Sequence, residues 1–128
     1  VIDCPPSVYA PQTNKALLIS DRAVIPVQPS PMDLWATVHI IEAVEKAMES
    51  NPGLRPLLVI NQLEPKTMLS KLVRDAVNEI GIPVADAMVR RRAIFRSSAL
   101  DGKSVYEAGG HGAAAVEEIE QLIQEIMQ

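Results

Sequence analysis

The sequence predicts an α/β fold: a doubly wound, mostly parallel sheet flanked by helices. Two observations carry that expectation. Short apolar runs at 23–28 and 57–60 alternate with longer stretches in which apolar residues recur every three or four positions. The runs also lack polar alternation, which suits strands covered on both faces, as in a parallel sheet. At 128 residues the chain is large enough for one domain with a single core.

Taken in order, Val1-Ile2-Asp3 reads as the end of a buried strand closed by a carboxylate, and Cys4-Pro5-Pro6-Ser7 as a proline-stiffened turn. A chain that opens on a strand end is expected to continue a longer domain. A helix over 11–20 starts at Pro11 and carries Ala16, Leu17 and Leu18. The run 23–28 is a strand in which Pro26, having no N–H for a ladder, marks an edge or a bulge. Ser30-Pro31-Met32-Asp33 then combines an N-cap, a proline at the first helical position and an acid three residues after the cap. Leu34, Trp35, Val38, Ile41, Val44, Ala47 and Met48 follow at helical steps. Leu57–Ile60 form a further apolar strand. A helix over about 66–80 runs through Leu69, Leu72, Val73, Ala76, Val77 and Ile80 and stops at Gly81. Ile82–Val89 is a weaker strand, interrupted by Asp86. After a loop and a short helix, a last helix over about 112–127 uses Val116, Ile119, Leu122, Ile123 and Ile126.

Composition narrows the function classes. No apolar run approaches the ~18 residues that cross a bilayer, and no signal peptide is visible. The single Cys4 excludes an internal disulfide and fits a reducing, cytoplasmic setting; with two His it supplies no zinc ligand set. Cys4 is expected to be a small buried filler, because no base is placed beside it to make a nucleophile. His39 and His111 read as structural or solvent-exposed, and Trp35 as core or interface packing. A net charge of −4 argues against coating nucleic acid with the whole surface, but leaves room for a local basic patch.

In parallel α/β sheets ligands bind beyond the carboxyl ends of the strands. Those ends carry Asp3, then Gln28-Pro29-Ser30, then Asn61-Gln62, then Met88-Val89-Arg90. An acid, small polar residues and an amide form a set suited to a nucleotide and its metal. A phosphate cradle is missing: nothing reads G-x-x-x-x-G-K-[ST], and Gly109-Gly110-His111-Gly112 lacks both the Lys and a preceding strand. This segment alone should therefore bind triphosphate poorly. Asp33 is explained by the helix cap, and no residue is assigned a catalytic role.

Val-Ile-Asp-Cys-Pro-Pro-Ser at the start, Val-Ile-Pro-Val-Gln-Pro-Ser-Pro-Met-Asp in the middle and Ala-Leu-Asp-Gly-Lys-Ser-Val-Tyr-Glu near the end resemble the ParA-type partition ATPases, deviant Walker-A proteins related to MinD. The resemblance covers residues 1–128 as the C-terminal portion of a single P-loop-type ATPase domain that lacks the Walker A loop. It implies an ATPase as the intact protein, with this chain inactive alone, and ATP and Mg²⁺ as cofactors. Asp3 would be the Walker B acid at the metal, Pro5 and Pro6 part of the switch segment near the γ-phosphate, and Asn61 the amide that reads the adenine edge. For Asp3 the competing reading is a cap on the turn into the next helix; for Asn61 it is a turn residue after a strand. Gln62 departs from the family's usual basic residue there. The resemblance further implies plasmid or chromosome segregation, with an ATP-dependent homodimer on nonspecific DNA, association with the nucleoid and a centromere-binding partner protein. Alternatives are a MinD-like positioning ATPase and a non-catalytic interaction module that keeps the fold. The acidic last helix disfavours anionic lipid and a membrane role.

Arg90-Arg91-Arg92 with Arg96 and Lys103 is the sharpest charge feature: residues 88–103 hold five cations against one acid, Asp101. Adjacent guanidinium groups repel unless phosphate or carboxylate lies between them. One reading is a sequence-independent contact with DNA phosphates. The other is pairing with the Glu-rich last helix (Glu117, Glu118, Glu120, Glu125). Arg90, near a strand end, is also placed to face nucleotide.

Overall fold

A computed structural model describes residues 1–7, 9–64, 71 and 75–128. Its centre is a parallel pair, β1 (Arg22–Val27) and β2 (Arg55–Ile60), in a register that sets Arg22 opposite Arg55 and Val27 opposite Ile60. Arg55 N–H donates to the Asp21 carbonyl at 3.0 Å and Asn61 N–H to Val27 at 2.8 Å. The odd-numbered residues of β1 thus face β2, and Arg22, Val24 and Pro26 turn their backbone groups to the free edge. Pro26 costs no ladder bond there, and the edge expectation holds.

The weak strand at 82–89 is a parallel segment beside β2. Leu58 N–H donates to Pro83 and Ala85 N–H to Leu58, both at 2.8 Å; the ladder resumes two residues late, with Val89 N–H on Ile60 at 3.0 Å. The break falls where a carboxylate takes over: Asp86 and Ala87 N–H donate to Glu125 Oε2 and Oε1 at 2.8 and 2.6 Å. The observed architecture is α/β with a small parallel sheet flanked by helices.

Helix α1 (Pro11–Ile19) and α2 (Pro31–Ser50) cover one sheet face. Leu17, Ile41, Val44 and Ala47 pack there with Ile25, Val27, Leu58 and Val77. Asn51, which caps α2, ties the two helices: its side-chain amide donates to the carbonyls of Leu17 at 3.0 Å and Ser20 at 2.9 Å. Helix α3 (Ala93–Leu100) and a 3₁₀ segment (Val105–Gly112) lead to α4 (Ala113–Met127). On the other sheet face, Leu122 and Ile126 of α4 pack on Leu57, Val59 and Ala85. The glycines before α4 serve this corner rather than a phosphate: Gly109 takes φ 61°, ψ −143°, and a Cβ at Gly112 would collide with the Val105 carbonyl oxygen.

Several expectations are corrected. Val1–Asp3 is not a strand, and Val1, Ile2 and Cys4 are exposed, because no described strand lies beside them to complete a ladder. Trp35 and Val38 are exposed at 69% and 48%, so Trp35 is not core; α2 meets the core through another face, with Leu34, Ile41, Val44 and Ala47. Leu18 is half exposed where Ala16 and Leu17 are buried. Of the helix expected over 66–80, residues 71 and 75–78 are helical, and Leu69, Leu72 and Val73 lie outside the described residues.

Candidate functional site

The chain from β1 into α2 is fixed by its cap. Ser30 Oγ accepts from Asp33 N–H at 3.2 Å and donates to Asp33 Oδ2 at 2.5 Å, while Thr37 Oγ1 donates to the Asp33 carbonyl at 2.7 Å. Asp33 and Thr37 border a groove of about 1310 Å³ that runs along the free edge of β1. Asp3, Pro5 and Pro6 line the same groove, so the predicted metal acid and switch prolines share one cavity with the start of α2. At the far end of this segment Thr13 Oγ1 donates to the Ser7 carbonyl at 3.2 Å, anchoring the turn to α1.

Asn61 and Arg90 do not line that groove. Asn61 Oδ1 accepts from Gln62 N–H at 2.9 Å, and Gln62 adopts φ 54°. That local bond occupies Asn61 Oδ1, and the side-chain NH₂ has no partner among the described residues. Asp3 is exposed, and among the described residues no group of three or more His, Cys, Asp or Glu is placed to hold a metal. Mg²⁺ commonly takes one or two carboxylates plus water and substrate phosphates. One acid without a phosphate cradle does not fit Mg²⁺–ATP by itself.

The basic cluster is organised by one acid. Glu118, its side chain 13% exposed, receives Arg92 Nε at 3.2 Å on Oε2 and Nη2 at 2.7 Å on Oε1. Arg90 N–H donates to Oε2 at 3.1 Å, and Arg90 Nε lies 3.5 Å from Oε1. Burial pushes the Glu118 carboxyl up, but the hydrogen bonds from Arg92 and the Arg90 N–H, with both guanidinium charges, outweigh it and hold the group below its ordinary value. Arg92 is correspondingly raised by the same hydrogen bond. Arg91 donates to Glu64 at 2.8 Å across an open pair, both side chains more than half exposed. Arg96 and Lys103 are exposed on α3 and the following turn. The Glu-rich helix therefore does pair with the Arg run, through Glu118. Glu125 was read only as one of the last helix's acids, and its two backbone donors escaped sequence reasoning; its seven-residue spacing from Glu118 puts both on one helix face.

The chain is 39% identical over 127 residues to the maintenance of carboxysome distribution protein A of Halothiobacillus neapolitanus, matching 99% of this chain and 59% of that protein. A protein of the same name from Gloeobacter kilaueensis is 25% identical over 118 residues, 91% of this chain and 53% of the relative. A ParA family protein of Mycoplasma pneumoniae is 30% identical over 77 residues, 60% of this chain and 28% of the relative. The chain belongs to the ParA family. No family model matches it. The chain spans little more than half the length of the first two relatives.

Proposed function

We propose that this chain is the C-terminal portion of a ParA-family ATPase that positions a large cargo by cycling on and off DNA. The observation that carries the reading is the match across 99% of the chain to a carboxysome-distribution relative. The shared groove of Asp3, Pro5 and Pro6 supports it, since an acid and a stiff turn lie together there, open to a cofactor. In this reading Asp3 is the chain's contribution to Mg²⁺ and Asn61, through its unpartnered NH₂, its contribution to the base of ATP. The phosphate-binding loop lies in the longer protein, which carries a doubly wound P-loop sheet.

Nonspecific DNA is the proposed track, held through Arg90, Arg91, Arg92, Arg96 and Lys103. An ATP-dependent homodimer doubles the phosphate contacts and so links nucleotide state to DNA affinity. Cytoplasmic, nucleoid-associated localisation follows. The cargo is a protein body of the carboxysome type, engaged through an adaptor protein. Plasmid or chromosome partition through a centromere-binding partner is the second reading, favoured by the ParA-family relatives. In the longer protein, Asp3→Ala should lower ATP hydrolysis by about a hundredfold or more, measured as phosphate release with DNA present. Parental turnover in that variant would overturn the assignment, and no nucleotide binding by the parent would leave the interaction module as the function.

A further inference from the structure

Four donors converge on Glu118: the Arg90 N–H, Arg90 Nε, and Arg92 Nε and Nη2, at 2.7 to 3.5 Å. A forked guanidinium beside a backbone N–H is also a donor set for a phosphate, whose oxygens accept in the same geometry as a carboxylate. The two guanidinium groups differ in access. Arg90 is 53% exposed and Arg92 28%, so Glu118 mainly withholds Arg92. Arg91, by contrast, sits in an open pair with Glu64, of the kind worth little against a dense array of phosphates.

We infer that Arg90 and Arg92 form a phosphate site for duplex DNA in which Glu118 is a built-in competing anion, so that the chain's own carboxylate sets its DNA affinity. The inference rests on the DNA reading of the Arg cluster and adds the residue that regulates it. Two acids on α4 make the test clean, because neutralising either changes the net charge equally. Glu118 faces two guanidinium groups, whereas Glu125 faces the backbone N–H groups of Asp86 and Ala87.

The experiment measures binding of a short fluorescent DNA duplex by anisotropy across a salt series, for the parent chain, Glu118→Gln and Glu125→Gln. Glu118→Gln, which keeps an oxygen acceptor for Arg90 N–H, should tighten binding on the order of five- to tenfold near ~0.1 M salt. It should also steepen the salt slope by roughly 0.9, one added phosphate. Glu125→Gln should match the parent. Equal tightening in both variants would reduce the effect to bulk charge and overturn the inference, as would parental binding by a Glu118→Gln protein with native circular dichroism. Displacement by millimolar inorganic phosphate at constant ionic strength would assign the pair to a small anion and overturn it too. The underlying reading has its own arm. If Arg91→Ala and Arg96→Ala flatten the slope while Glu118→Gln does nothing, only the inference fails. If parent and all variants ignore DNA at low salt, both fail.

Discussion

β1 and β2 lie side by side in one register, yet they live in different surroundings. β2 is buried at five of its six positions, β1 at two, Ile25 and Val27. The difference comes from what lies beyond each strand. Helices α1 and α2 cover one face of both, whereas on the other face Leu122 and Ile126 of α4 pack on Leu57 and Val59 of β2 and on Ala85 beside it. β2 also has a neighbour on each edge, whereas the second edge of β1 opens on the groove that holds Asp3. Strand sequences of similar apolar content can thus serve as a core strand or as the wall of a binding groove. What decides is how far the covering helix extends.

The sharpest way to break the contrast is a matched pair of truncations. Leu58→Ala, at a fully buried site between helices and sheet, should cost about 2–5 kcal/mol in chemical denaturation. If it costs less than ~1 kcal/mol, β2 is not the core strand. A second test probes how the covering helix is held. Because Glu118 titrates below its ordinary value in the folded chain, its contribution is complete above the unfolded carboxyl's titration, near pH 4, and is lost as pH falls through the lower folded value. Melting temperature followed from pH 7 to pH 3 should fall on the acid side, and Glu118→Gln should flatten that limb. The smallest effect is expected at Val24, 41% exposed on the groove side of β1. Val24→Ala should change stability by no more than about 0.5 kcal/mol, and a loss comparable to Leu58→Ala would erase the distinction between the strands.

Much of this organisation was legible because local chemistry and global fold agree. Ser30-Pro31-Met32-Asp33 specified a helix start that the hydrogen bonds reproduce, and Pro26, read as an edge or a bulge, lies on a strand with one ladder neighbour among the described residues. The misreadings share a cause. Val1–Cys4 and the Trp35 face of α2 are apolar by composition, but burial needs something to bury against, and no described element covers them. Periodicity reports which side chains share a face; it carries no information about whether that face is met. Among site residues, Asp3, Pro5 and Pro6 line one groove with the start of α2, as neighbours along the chain must lie near one another. Asn61 turned to a local bond, because a carbonyl one atom from its own backbone is the nearest acceptor for Gln62 N–H. The division of the Arg run depended on a residue 26 positions away from Arg92, a separation no local pattern encodes.

Glu125 carries a kinetic meaning as well. By accepting Ala87 N–H, it replaces the ladder bond that β2 would supply in a regular strand, and it holds Asp86 N–H as well. Those two amides are protected only while α4 is docked, whereas the Ala85 and Val89 amides on either side are held by β2. Hydrogen exchange at 86 and 87 therefore reports the free energy of α4 detachment, and at 85 and 89 that of opening the sheet. A single helix turn thus gives one parallel segment two different sets of acceptors, so its amides are expected to exchange as two groups.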